Sequence, residues 1–418
     1  MARAALPEKL NVCLVTRKFP VWGRASEHGF LWVIARGLAL KGHSVTVLSS
    51  ETTTGHAEIE QHGVKVHYLN QGKQGRRAEI FADRVKAKFI ELHAQKPFHL
   101  LHSVDTSARK ISAFSDSYKV AIAYDVEATQ MSQLFAIMGM AQETLGSLLA
   151  TSFAVAYKFI RTFLNGDRQL LKTAHGVFVS SPQQRIALER YYLYPDARIY
   201  SVPYGIEIGD LAPREKSNEL RKQLGVPETA KVVMTITDMT DVGEIKSLLG
   251  AFTDAIIKKP NARMIIIGNG PRYKEIEREV LDLALGSKVI FAGSLTNTEV
   301  PDYISLADAF VNLSSRTTGF EPSLLEAMAQ KKVIIGSEVS PIATIVEHGK
   351  DGFLIRPADV NELAILLHDL FNERLPIVEI GENARQKVTG LFDPEKMVRE
   401  TIDAYYAILR STGYYRKS

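Results

Sequence analysis

One cysteine, Cys13, is all that the 418 residues contain, so an internal disulfide is excluded. A lone thiol inside an apolar run suits a reducing compartment, and a cytoplasmic location is the default expectation. No uncharged apolar run reaches the roughly 18–20 residues that a bilayer-spanning helix needs. The stretch Met1–Glu8 lacks the apolar core of a secretion signal, so a soluble or peripheral protein is expected. Charge of one sign is missing too: 51 Lys and Arg face 47 Asp and Glu, a net +4. That balance gives no case for nucleic acid and leaves only weak attraction to an anionic membrane surface.

What is present is an average globular mix, 45% hydrophobic and 23% charged, on a chain long enough for two domains. Leu10–Thr16 reads as a buried strand, Phe30–Lys41 as a helix and Ser44–Ser49 as the next strand, a βαβ unit. Its first loop, holding Gly23, Arg24 and Gly29, opens where parallel sheets bind ligands. It is not a G-x-G-x-x-G fingerprint. Arg24 either supplies a cation to a ligand or is a solvated loop arginine. A short strand, 64–69, precedes a basic stretch, 73–77, whose Arg76 and Arg77 read as a solvated face or as contacts to an anionic group. Residues 98–105 and 119–125 are further buried strands. Polar residues ending such strands are candidates for ligand contacts: His102, Asp105, Asp125 and Glu127. Between 128 and 157 long uncharged runs show apolar residues at helical spacing, fitting packed core helices, a membrane-dipping edge or a dimer contact.

The stretch around which the rest is organised is 309–328. Ala309–Leu313 is an apolar strand, Gly319 permits a sharp turn, and Pro322 suits the first position of a helix. The free N–H groups of that helix point into the loop and suit phosphate or sugar oxygens. Glu326 lies one turn inside, where its carboxylate can accept hydrogen bonds from ribose hydroxyls.

Thr318-Gly319-Phe320-Glu321-Pro322-Ser323-Leu324-Leu325-Glu326-Ala327-Met328-Ala329 resembles the C-terminal signature of family 4 of the retaining, GT-B-fold glycosyltransferases, in its RfaB/WcaL-like group. The usual form is Glu-Gly-Phe-Gly-x-Pro-x-x-Glu-Ala-Met-Ala. Gly42-His43 with its Val-Thr-Val strand, Gly268-Asn269-Gly270-Pro271 and Val289–Gly293 are also similar to family patterns. The resemblance implies an α/β fold of two Rossmann-like domains facing across a cleft. It implies an N-terminal acceptor domain, 1–205, and a C-terminal donor domain, 206–395. A last helix, 396–418, would cross back to the N-domain. It further implies transfer of a sugar from a nucleotide-sugar donor to a glycan or lipid-linked acceptor, without cofactor or metal. Envelope polysaccharide or glycolipid assembly, at most in peripheral contact with the inner face of the membrane, is the implied setting.

Carried over by position, the donor site comprises Gly23, Arg24, Asp238, Lys246, Gly268, Gly270, Gly293, Leu295, Thr318, Gly319, Phe320, Pro322, Ser323, Leu325 and Glu326. Asp125, Glu127 and Glu321 would stand at the reacting sugar. His102, Asp105, Arg76 and Arg77 would meet the acceptor. Two departures stand out. The family's diphosphate-neutralising Arg and Lys fall at Asp238 and near Gly243, and its first signature Glu is Thr318. Because those cations assist leaving-group departure, the alternative is a degenerate GT-B protein that binds a glycan, nucleotide or protein without catalysis.

Overall fold

The computed structural model describes residues 5–17, 19, 29–50, 57–69, 77–104, 106–125, 167–180, 182–203, 205, 212–239, 242–257, 261–295, 299–313, 322–339, 342–357 and 359–415. Two compact units result, one of residues 1–206 with 392–418, the other of 207–391.

The first unit is built on an eight-stranded sheet of described residues, in the order β3-β4-β2-β1-β5-β6-β7-β8. The strands are β1 (Asn11–Val15), β2 (Ser44–Ser49), β3 (Glu58–Gln61), β4 (Val64–Tyr68), β5 (Leu100–Ser103), β6 (Ala121–Asp125), β7 (Gly176–Val179) and β8 (Ile199–Ser201). All pairs are parallel except β3 with β4. The central strands β1, β5, β6 and β7 are buried along their whole length, which is why they read as unbroken apolar runs. On one face Phe81, Val85 and Phe89 of the helix Arg77–Gln95 cover Cys13, Val15 and Leu101. The basic stretch read over 73–77 runs into this helix, which Arg77 begins.

The C-terminal helix, Pro394–Ser411, belongs to this first unit. Its start is fixed by Pro394 and by the Asp393 carboxylate, which accepts from the Glu395 N–H at 2.9 Å. Met397, Val398, Thr401, Ala404, Tyr405, Ile408 and Leu409 form its buried stripe, at helical spacing. Two glycines let it approach. A Cβ on Gly37 would lie 2.3 Å from Val398, and one on Gly176 2.5 Å from Ile408.

The second unit carries six parallel strands among its described residues, ordered β11-β10-β9-β12-β13-β14. They are β9 (Val232–Ile236), β10 (Arg263–Ile267), β11 (Val289–Gly293), β12 (Ala309–Asn312), β13 (Val333–Ser337) and β14 (Phe353–Ile355). In chain order this is 3-2-1-4-5-6, the doubly wound Rossmann arrangement, whose strand order reverses between β9 and β12. The helices Val242–Ile256 and Val360–Phe371 pack on one face through Leu248, Leu249, Phe252, Leu363, Leu367 and Phe371.

Candidate functional site

Ligands of such sheets bind beyond the carboxyl ends of the strands, at the switch point. In the second unit that edge is made by the turns after β9, β10 and β11 and by the helix Pro322–Ala329 after β12. The three turns are locked together backbone to backbone. Thr237 N–H donates to Ile267 O at 2.9 Å, and Gly268 N–H donates to Gly293 O at 2.8 Å. Gly268 has φ +121°, and a Cβ on it would fall 1.8 Å from Thr237 O. A Cβ on Gly270 would fall 1.8 Å from Asp238 O. Only glycine fits at either place, which explains the G-x-G spacing. Thr237 Oγ1 accepts from Met239 N–H at 3.0 Å and turns the chain so that Met239 is buried while Asp238 is exposed. Phe291 of β11 packs against Tyr273, ring centres 5.2 Å apart. Gly293 takes φ +69°, and Leu295 beyond it is half-buried.

The helix Pro322–Ala329 begins at Pro322, as Pro at a first helical position requires. Leu324, Leu325, Ala327 and Met328 anchor it in the core, fully buried, so Leu325 can reach a ligand only through its backbone. Ser323 is half-buried, and Glu326, one turn into the helix, is 8% exposed. Residues 314–321, and with them Thr318, Gly319, Phe320 and Glu321, lie outside the described residues.

Of the two cations expected near phosphate, Arg24 lies outside the described residues, as does Gly23. Lys246, exposed on the helix Val242–Ile256, is paired with Glu279 at 3.1 Å and Glu275 at 3.5 Å. The Glu279 hydrogen bond leads in holding its ammonium above the usual lysine range. Arg272 closes the group on Glu275 at 2.6 Å. Exposed pairs of this kind are screened by solvent, so they hold Lys246 weakly. Gly243 is exposed in the first turn of the same helix.

In the first unit the corresponding edge brings together the ends of β1, β5 and β6. Asp125 ends β6, is 4% exposed, stands opposite Phe178 in register, and acts electrostatically on the Tyr405 hydroxyl. His102 is a correction. Its ring is fully buried, stacked on Phe178 at 4.8 Å, with Nδ1 2.7 Å from the Tyr405 hydroxyl of the C-terminal helix. Burial pushes its pKa down to about 3, so it is a neutral packing residue and presents no surface to an acceptor. Nε2 has no hydrogen-bond partner among the described residues. Asp105, Glu127 and Arg76 lie outside the described residues, and of Arg77 only the backbone is described. The 128–157 stretch lies outside them as well.

No group of three or more His, Cys, Asp or Glu side chains among the described residues is arranged to hold a metal ion. No described helix is long and apolar enough to cross a membrane.

Two family models match successive stretches of the chain: "Glycosyl transferase 4-like domain" over residues 30–205 and "Glycosyl transferases group 1" over 216–387. Among curated relatives, an N-acetyl-alpha-D-glucosaminyl L-malate synthase of Bacillus anthracis is 27% identical over 53% of this chain and 54% of its own length. The sulfoquinovosyl transferase SQD2 of Arabidopsis thaliana is 30% identical over 44% of this chain and 35% of its own. The chain therefore spans about half or less of the length of these relatives. Among solved structures, a sucrose-phosphate synthase of Thermosynechococcus elongatus superposes with a TM-score of 0.75 at 20% identity, covering 95% of this chain and 98% of that one. HepE of Anabaena, solved with UDP and glucose, gives 0.73 at 18% identity, covering 94% and 98%. At such identities the likeness establishes the shared GT-B fold.

Proposed function

We infer that this chain is a glycosyltransferase of GT-B fold, of the family 4 and group 1 kind, which moves a sugar from a nucleotide-sugar donor to a glycan or lipid-linked acceptor. The observation that carries the reading is the pair of glycosyltransferase domains matched in succession over 30–205 and 216–387. The inner turn of the helix Pro322–Ala329, with Glu326 beside the switch point of its sheet, supports it. The same kinship disfavours a protein that only binds. Placement in the RfaB/WcaL-like group and retention of configuration belong to the same proposal.

In this reading the nucleotide lies across the carboxyl ends of β9, β10 and β12. Glu326 accepts hydrogen bonds from two ribose hydroxyls, each charge-assisted and thus stronger than a neutral one. The turns at Gly268, Gly270 and Gly293 let the backbone come close to the donor, and Leu295 flanks the base. Backbone N–H groups at the start of the helix Pro322–Ala329 face the donor phosphates and sugar, where the helix dipole favours negative charge. Thr318, Gly319, Phe320, Glu321 and Ser323 would hold the sugar hydroxyls. Lys246, released from Glu275 and Glu279, and Arg24 would neutralise the diphosphate as it leaves, in place of the cations displaced by Asp238 and Gly243. Asp125 or Glu127 would face the transferred sugar, with Asp105, Arg76 and Arg77 toward the acceptor. No metal is required, and a cytoplasmic, peripheral setting is part of the proposal.

The test is release of nucleoside diphosphate from a panel of UDP-, GDP- and ADP-sugars in the presence of lipid or glycan acceptors. Acceptor-stimulated release from one donor, abolished in Glu326→Ala, is expected. Absence of release with every donor and acceptor would favour binding without chemistry.

A further inference from the structure

Parallel sheets leave unpaired backbone N–H groups at their amino ends, the edge away from the ligand. In the first unit three histidines meet them. His43 precedes β2, and its Nδ1 accepts from Leu10 N–H at 3.0 Å. His99 precedes β5, and its Nδ1 accepts from Asn11 N–H at 2.8 Å. His175 precedes β7, and its Nδ1 accepts from Ile122 N–H at 3.0 Å. Each of these bonds requires an unprotonated Nδ1, because a protonated imidazole donates from both nitrogens.

The same three rings carry the end of the chain. Tyr406 meets His43 with ring centres 6.5 Å apart, Tyr414 meets His175 at 5.8 Å, and Tyr415 meets His99 at 6.4 Å. The Tyr414 hydroxyl donates to Asp116 at 2.6 Å and lies 3.5 Å from His175 Nε2. The Tyr406 hydroxyl donates to the Glu8 carbonyl. The last helix and the residues that follow it thus carry tyrosines that each sit on a histidine whose other side caps the sheet. A single protonation would disturb both contacts at once.

We propose that the amino-terminal edge of this sheet is an acid-sensitive clasp for the C-terminal segment, which docks on neutral His43, His99 and His175 and is released when they take up protons. The charged groups facing the clasp are mostly cations, which oppose protonation. Lys9 faces His43, Lys96 and His93 face His99, and Arg198 faces His175. Arg410 faces Tyr406. Asp116, beside His175, and Glu8, facing Tyr406, are the anions, and Asp116 favours the charged form of His175. Burial leads in holding all three imidazoles below the ordinary value of 6.5. For a base so depressed, the docked state is fully favoured above about pH 6.5 and loses ground as pH falls below it.

The experiment is hydrogen exchange of the full chain at pH 7.5 and 5.5, corrected for intrinsic rates and read on the 405–415 segment. Residues 123–125 of β6, beyond the capped Ile122 amide, and the helix Val360–Phe371 serve as internal references. The segment is expected to exchange at least about tenfold faster at pH 5.5, the equivalent of one pKa unit of differential protonation, with both references unchanged. In the variant His43→Asn, His99→Asn, His175→Asn, the amide oxygen replaces Nδ1 as an acceptor that does not titrate, and protection at pH 5.5 is expected to persist. Should that variant not fold, Tyr414→Leu with Tyr415→Leu is expected to leave the references intact and the segment open already at pH 7.5. Equal protection of the wild-type segment at both pH values would overturn the clasp. So would opening of residues 123–125 of β6 together with the segment, an asparagine variant that opens as the wild type does, or a leucine variant that stays protected.

Discussion

Adding one methyl group to each glycine of the edge in the second unit separates two physical costs. At Gly293 a Cβ meets nothing within 4 Å, so Gly293→Ala pays only for the left-handed backbone at φ +69°, about 1–2 kcal/mol. At Gly270 the backbone is not in the left-handed region, but the Cβ would lie 1.8 Å from Asp238 O and 2.8 Å from its carbonyl carbon. Both are backbone atoms and cannot rotate away, so Gly270→Ala pays an overpacking cost of about 1–3 kcal/mol. Gly268 combines both, with φ +121° and a Cβ 1.8 Å from Thr237 O. The sum for Gly268→Ala is about 2–5 kcal/mol. Both tryptophans, Trp22 and Trp32, lie in the N-terminal half, so their fluorescence is blind to this damage. Urea unfolding followed by far-ultraviolet circular dichroism, with tryptophan emission as the control for the first unit, reads the difference. The second unit's transition should move to lower urea in the order Gly293→Ala, Gly270→Ala, Gly268→Ala, with the tryptophan transition fixed. A neutral Gly268→Ala, or a Gly293→Ala as costly as Gly268→Ala, would refute the close-packing argument.

Two other substitutions probe buried polar groups. Tyr405→Phe removes the hydroxyl that lies 2.7 Å from His102 Nδ1 and leaves a fully buried nitrogen unpaired. It is expected to cost about 1–3 kcal/mol in the first unit's unfolding free energy, and an unchanged urea midpoint would show that the pair is idle. Lys332, mostly buried beside Lys216 with its ammonium on Ser305 O, has its pKa pushed down to about 8, chiefly by burial. Its charged form is therefore a burden below pH 8, relieved as pH rises from there toward the ordinary 10.5. Lys332→Met is expected to stabilise the second unit by about 1–2 kcal/mol at pH 7, with the gain shrinking above pH 8 in urea melts. A gain that does not vary with pH would assign the effect to packing instead.

Most of the second unit was legible because its strands are buried on both faces, and Met264–Ile267 or Val333–Ile335 read as continuous apolar runs. The glycine turn at 268–270 was legible as well, since its spacing records a backbone approach that any side chain would block. The edge strand β3 was missed. Glu58-Ile59-Glu60-Gln61 places one apolar side chain among polar ones, as solvated edge strands do, and offers no run to detect. His102 was misread for a different reason. A polar residue near the carboxyl end of an apolar run suggests a ligand contact, and the residue that claims it, Tyr405, lies 303 positions away on the C-terminal helix. The pairing of Lys246 with Glu275 and Glu279 was hidden likewise, because it links two helices through their exposed faces. The clasp histidines were visible only as part of strand-opening patterns such as Gly42-His43, with nothing local to announce their tyrosines.

The central claim is that the carboxyl edge of the second sheet holds a nucleotide-sugar, with Glu326 on its ribose. Calorimetric titration of the full chain with UDP, GDP, ADP and their sugar conjugates tests it most directly. Binding of one nucleotide in the micromolar range is predicted, with a loss in Glu326→Ala of about 1.5–3 kcal/mol, the worth of a hydrogen bond to a charged group. Binding of no nucleotide, or binding that Glu326→Ala leaves untouched, would contradict it.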